Sequence, residues 1–228
     1  MNPATSTAYL AGQVSARAVV FFMILALLFF LPAGTVNYWQ AWMWLATIIF
    51  LMLITLAYLL KNDPALLERR MRMRERRGGQ QKIILVSGIF LTLSFILPGF
   101  DVRYGWSQMP VWVAILSNAI VILGYLMVLL VFKTNSYTSR IVEVEAGQKV
   151  ISTGPYAIVR HPMYVGSFLT YAFTPLALGS YWAFIPGLMI LPVLVFRIID
   201  EEKLLLRDLP GYPEYTQKVK YRMLPGIW

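Results

Sequence analysis

Six uninterrupted apolar runs dominate the chain, at residues 14–31, 36–60, 83–100, 110–132, 164–178 and 181–199. They lack the apolar–polar alternation of a barrel strand, so of the two structures that satisfy backbone polar groups in lipid they predict helices. A helix crossing the hydrocarbon core needs about 20 residues, within a range of about 17–25. The second and fourth runs meet that length, and the first, third and sixth sit near its lower end. The fifth, at fifteen residues, is short. It either begins earlier, near His161, or pairs with the sixth as a tight hairpin across Gly179-Ser180. Asp63-Pro64 predicts a cap with proline at the first position of a short interfacial helix.

Composition agrees with this pattern. Of the 228 residues, 58% are hydrophobic and only 14% charged, with a mean hydropathy of +0.63. Soluble domains run near a quarter charged. The chain has no cysteine, which excludes a disulfide scaffold, thiol nucleophiles and thiolate metal sites. Its one histidine leaves no cluster for zinc or iron, so no metal is expected.

The net charge of +9 has its first explanation in topology. Assigning alternate loops to opposite sides puts 19 of the 20 Lys and Arg on one face and only Arg103 on the other. The positive-inside rule then places both termini in the cytoplasm and favours six spans. Because the basic residues lie between apolar runs, no nucleic-acid partner is expected. The basic stretch 68–77 is read as a topogenic loop lying on anionic headgroups. Residues 18–31 followed by Pro32-Ala33-Gly34 look like a signal peptide, but one arginine after sixteen uncharged residues is a poor leader. This segment is therefore read as the first span. The expected fold is an all-α, polytopic membrane helical bundle of about six transmembrane helices with both termini cytoplasmic. Residues 1–132 would form four helices with a basic cytoplasmic loop at 61–82, and 133–228 the functional core with a C-terminal enclosing segment. The outer connections are short, so any site is expected on the cytoplasmic face.

Two clusters carry candidate chemistry. Ser152-Thr153-Gly154-Pro155-Tyr156, followed by Val159-Arg160-His161-Pro162-Met163-Tyr164-Val165-Gly166, concentrates polar groups at a membrane boundary. Gly154-Pro155 signals a turn, and Pro162 opens the fifth helix. A helix start suits an anion, while the bland reading is a belt of snorkelling and aromatic residues. The second cluster is Arg197-Ile198-Ile199-Asp200-Glu201-Glu202, with Arg197 and Glu201 one helical turn apart. Three acids at a helix C-terminal end oppose the dipole, which marks them as functional candidates beside the plainer reading of a solvated, salt-bridged helix end. A carboxylate there suits a sulfonium or ammonium, and Arg197 suits a carboxylate or phosphate.

Arg160-His161-Pro162-Met163-Tyr164-Val165-Gly166, an apolar hairpin, Glu201-Glu202-Lys203-Leu204-Leu205 and the tail Tyr212-Pro213-Glu214-Tyr215 through Pro225 form one ordered set. As a set, it resembles the isoprenylcysteine carboxyl methyltransferase family and its phospholipid methyltransferase relatives, over roughly residues 136–228. The resemblance implies S-adenosyl-L-methionine in a cytoplasm-facing pocket enclosed by the C-terminal segment, and a lipophilic or prenylated substrate entering from the bilayer. By position it implies that Gln148, Lys149, Val150 and Ile151 line the cofactor mostly through backbone groups. Tyr156 would pack against it, His161, Pro162, Met163 and Tyr164 would form the adjoining wall, and Glu201 would take a polar or cationic end. Arg197 would face the acceptor. Gln148 stands where the family commonly has a histidine.

A carboxylate acceptor is already nucleophilic, so positioning and desolvation suffice and no catalytic base is assigned. Carboxyl O-methylation of an isoprenylcysteine-like substrate is the expected reaction. Phospholipid N-methylation or thiol S-methylation are the alternatives, and for an amine or thiol His161 would be the first candidate base. An NADPH-dependent reductase resembling the sterol reductases is disfavoured by chain length. A non-enzymatic scaffold is disfavoured by the charges kept at the membrane boundary.

Overall fold

Each apolar run becomes helical in the computed structural model, which describes residues 3–71, 78–138, 143–145 and 147–228, with side chains from residue 9 onward except those of 78–80. The helices are α1 (Pro3–Ala33), α2 (Trp39–Asn62), α3 (Pro64–Met71), α4 (Gly78–Tyr104), α5 (Val111–Thr134), α6 (Pro162–Ala177), α7 (Phe184–Leu188), α8 (Ile190–Asp208) and α9 (Tyr212–Lys218), with a 3₁₀ turn at Gly154–Ala157. No strand occurs among the described residues. Residues 72–77 of the basic stretch, and Arg140, lie outside them.

Among the described residues, four helices are long and apolar enough to cross a membrane: α1 from Tyr9, α2, α4 from Gln81, and α5. The last two apolar runs differ in kind. At 16 residues α6 is about 24 Å long, short of the roughly 30 Å hydrocarbon core. The sixth run is divided between α7 and α8 at Met189. Pro192 lacks the N–H that would bond the Leu188 carbonyl, so a continuous ladder is broken at this point.

The expected hairpin turn at Gly179-Ser180 is present. Gly179, at φ +86°, ends α6 in the left-handed region. Ser180 N–H donates to the Pro175 carbonyl and Gly179 N–H to that of Leu176, which is the Schellman pattern.

The tightest helix crossing is that of α5 with α6. A Cβ built on Gly166 would stand 2.5 Å from the Gly124 carbonyl oxygen, and one on Gly124 would stand 2.7 Å from the Gly166 carbonyl oxygen. Without a hydrophobic force between helices in lipid, such small-residue contacts let backbones touch. Gly166→Ala must therefore push α6 off α5, at a cost of about 1–3 kcal/mol. The expected result is a lower melting temperature of the detergent-purified protein by circular dichroism; an unchanged one would mean that the two backbones do not meet.

Buried polar groups tie the rest together. Trp44 Nε1 donates to Thr174 Oγ1 at 3.0 Å and Tyr38 OH to the Leu178 carbonyl at 2.6 Å, joining α2 to α6 and its turn. At the end of α4, Asp101, only 2% exposed, accepts from the Ser107 amide and hydroxyl and from the Ser180 hydroxyl. On the opposite end, α3 begins as Asp63-Pro64 predicts: Asp63 Oδ1 caps the Leu66 amide at 2.9 Å. Leu66 and Leu67 bury against Leu59 and Phe132. Arg69 reaches across to Glu145 at 2.7 Å and to the Ser136 carbonyl at 3.0 Å, fixing α3 to the segment that follows α5.

Candidate functional site

Where α8 leaves its apolar run, Glu202 is the centre of a buried charge cluster. Its Oε1 accepts from Arg160 Nε at 2.7 Å and lies 3.2 Å from His161 Nε2, while Oε2 accepts from Arg222 Nε at 2.7 Å. Glu202 and Arg160 are 5% and 7% exposed. Burial alone would raise the Glu202 pKa, but the bonds from His161, Arg160 and Arg222 outweigh it and hold the carboxyl at about 2. Arg160 also donates through Nη1 to the carbonyls of Val219 and Lys220, both at 2.8 Å. The backbone pairs too, with Arg160 N–H to the Tyr221 carbonyl and His161 N–H to that of Arg222, both at 2.9 Å. The cluster thereby fastens the C-terminal tail to the start of α6 and the end of α8.

Beside this clasp lies a cavity walled by the segment after α5, the start of α6, the last turns of α8, and the tail. All eleven residues singled out from the sequence border it: Gln148, Lys149, Val150, Ile151, Tyr156, His161, Pro162, Met163, Tyr164, Arg197 and Glu201. Arg197 and Glu201 meet there through a third residue. Tyr164 OH donates to Glu201 Oε2 at 2.5 Å and accepts from Arg197 Nε at 3.0 Å. The cavity thus presents a carboxylate, a phenol and a guanidinium as one linked polar group. Gln148 spends its side chain locally, its carbonyl oxygen accepting from the Glu145 amide at 3.0 Å. Tyr156 is held from two sides: Asn135 Nδ2 donates to its hydroxyl at 3.0 Å, and Tyr215 OH donates to its carbonyl at 2.7 Å.

The sequence reading missed several of these residues. Glu202 and Glu201 are adjacent, hence about 100° apart on a helix, so one faces the tail and the other the cavity. Arg160 and Arg222 were the signal for a buried acid, but they are 62 positions apart, and only the folded tail brings them together. Tyr212 and Tyr215, three residues apart on α9, also line the cavity, and Gly211 at φ +83° turns the chain into that helix. Asn135, Tyr137, Thr138 and Glu143 complete the wall from the segment after α5. No group of three His, Cys, Asp or Glu side chains able to hold a metal occurs among the described residues.

No curated protein sequence matches the chain. Among solved structures, the eukaryotic intramembrane Ras methyltransferase ICMT, isoprenylcysteine carboxyl methyltransferase, superposes with a TM-score of 0.51 at 20% identity. That match covers 94% of this chain and 86% of the other, and shows a shared fold. The phospholipid methyltransferase family matches residues 112–209, from the start of α5 to the end of α8. That region, which carries Tyr164, Arg197, Glu201 and Glu202, is where the chain is similar to the phospholipid methyltransferase family.

Proposed function

We propose that the chain uses S-adenosyl-L-methionine, held in the cavity beside the Glu202 clasp, to methylate a lipophilic acceptor, and that the acceptor group is a carboxylate on an isoprenylcysteine-like substrate. When bound, that cofactor supplies an activated methyl group on a sulfonium. The donor set fits it: Glu201 offers a carboxylate for a cationic end, Val150, Ile151 and Met163 offer apolar walls, and nothing in the chemistry calls for a metal.

The observation that carries the acceptor reading is the pairing of Arg197 with the Tyr164 hydroxyl inside the cavity. A guanidinium attracts a carboxylate and repels an ammonium. His161, the first candidate to take a proton from an amine or thiol, has its Nε2 set against Glu202 in the clasp. An acceptor already ionised at pH 7 needs no such base, only alignment and exclusion of water. The C-terminal tail would provide that exclusion, and the basic residues of α3 and its neighbours would face the cytoplasm. The family match over residues 112–209 favours a phospholipid amine as the second reading.

The test is methyl transfer from radiolabelled S-adenosyl-L-methionine in proteoliposomes to a prenylated cysteine bearing a free carboxylate, to its amide, and to phosphatidylethanolamine. Label in the first alone supports the proposal. Label in phosphatidylethanolamine alone would replace it with the second reading, and label in none would overturn both.

A further inference from the structure

Five tyrosines line the cavity: Tyr137, Tyr156, Tyr164, Tyr212 and Tyr215. Four of the five hydroxyls have partners. Tyr137 OH donates to the Gly147 carbonyl, Tyr164 OH to Glu201 and Tyr215 OH to the Tyr156 carbonyl, while Tyr156 OH accepts from Asn135. The Tyr212 hydroxyl is buried with no hydrogen-bond partner among the described residues, although the residue is only 4% exposed. Its ring is packed with Leu209, Tyr215 and Val219 and backed by Val150 and Leu205, so the hydroxyl is held in place. A buried hydroxyl left unpaired costs about 1–3 kcal/mol. The cost is recovered when a polar ligand atom comes within reach.

We propose that Tyr212 is a ligand-binding residue whose hydroxyl donates a hydrogen bond to the carboxylate at the amino-acid end of an S-adenosyl ligand. The assignment rests on the cofactor reading above. Glu201, in the same cavity, suits the ammonium of that end, and in an α-amino acid the carboxylate and ammonium sit on one carbon. A group that serves one therefore lies beside the other. Tyr212 senses Glu202, Glu201 and Arg160 electrostatically, so its hydroxyl lies near these charged groups while its ring packs on Val150. Burial, reinforced by the two glutamates, pushes its phenol pKa up, so it remains a donor.

Calorimetric titration of wild type and Tyr212→Phe with S-adenosylhomocysteine and with methylthioadenosine, which lacks the amino-acid end, tests this. Thermal unfolding of both proteins without ligand accompanies it. The expected result is an about tenfold loss of S-adenosylhomocysteine affinity in the variant, unchanged methylthioadenosine affinity, and an unliganded melting temperature equal to or above wild type. Equal S-adenosylhomocysteine affinity would overturn the assignment and leave the cofactor reading standing. Equal weakening of both ligands would move the hydroxyl to the nucleoside and overturn the contact proposed. A lower unliganded melting temperature would show that the hydroxyl has a structural partner and overturn it as well. If wild type binds neither ligand, the cofactor reading itself fails and the assignment with it.

Discussion

Glu202→Ala is expected to release the C-terminal tail and destabilise the protein by about 3–5 kcal/mol, because it leaves Arg160 charged, buried and without its carboxylate. Thermal unfolding would read the loss. Limited trypsin digestion would locate it, since Lys218, Lys220 and Arg222 lie in or beside the fastened segment. Cleavage there in the variant and protection in wild type is the expected pattern; equal protection would mean that other contacts hold the tail.

The same carboxylate sets an acid limit. A group held at about 2 in the folded protein, against 4.5 when free, contributes about 3 kcal/mol that is complete above pH 4.5. Below that the unfolded chain takes up the proton first, so stability falls as pH drops from 4.5 toward 2. Wild type should lose its melting temperature steeply across that window, and Glu202→Gln should lose less.

The adjacent acid should behave in the opposite way. Glu201→Gln keeps the shape of the side chain and can still accept from Tyr164, so the fold is expected to hold. What it removes is the negative charge facing the cavity. A charge-assisted hydrogen bond is worth about 1.5–3 kcal/mol, so S-adenosylhomocysteine affinity should fall about 10- to 100-fold with little change in melting temperature. Titration and unfolding on the same preparation check both halves. Wild-type affinity in Glu201→Gln would remove Glu201 from the binding site. Two neighbouring glutamates would thus separate into one that binds and one that fastens.

The parts of this molecule legible in the sequence are those with local causes. Long apolar runs gave helices, Asp63-Pro64 gave the start of α3, and Gly179-Ser180 gave the turn after α6. The motif 160–166 and the acids 201–202 drew attention to the end of the bundle where the cavity lies. What stayed hidden depends on contacts between distant positions. The break at Met189 follows from Pro192, but hydropathy averages across it and reads one continuous run. Glu201 and Glu202 look equivalent in the sequence, and only the path of the tail assigns them to different partners. Arg160 reads as a snorkelling boundary residue until Val219 and Lys220 are brought against it. The Tyr212 hydroxyl is distinguished from four others by lacking a partner among the described residues, a property no spacing encodes.

The way Arg160 holds the tail has a bearing on how this segment tolerates change. Its Nη1 contacts the main-chain carbonyls of Val219 and Lys220, and the backbone rungs at Tyr221 and Arg222 are equally indifferent to side-chain identity. The grip therefore constrains the chain's path and count, not its spelling. Side-chain substitutions at 220 and 221 leave every one of those acceptors in place. A single-residue insertion between 215 and 222 would shift Arg222 out of reach of Glu202 while leaving composition almost untouched. In this fold the tail acts as a ruler, and a deletion or insertion of one residue is a graver lesion than most replacements.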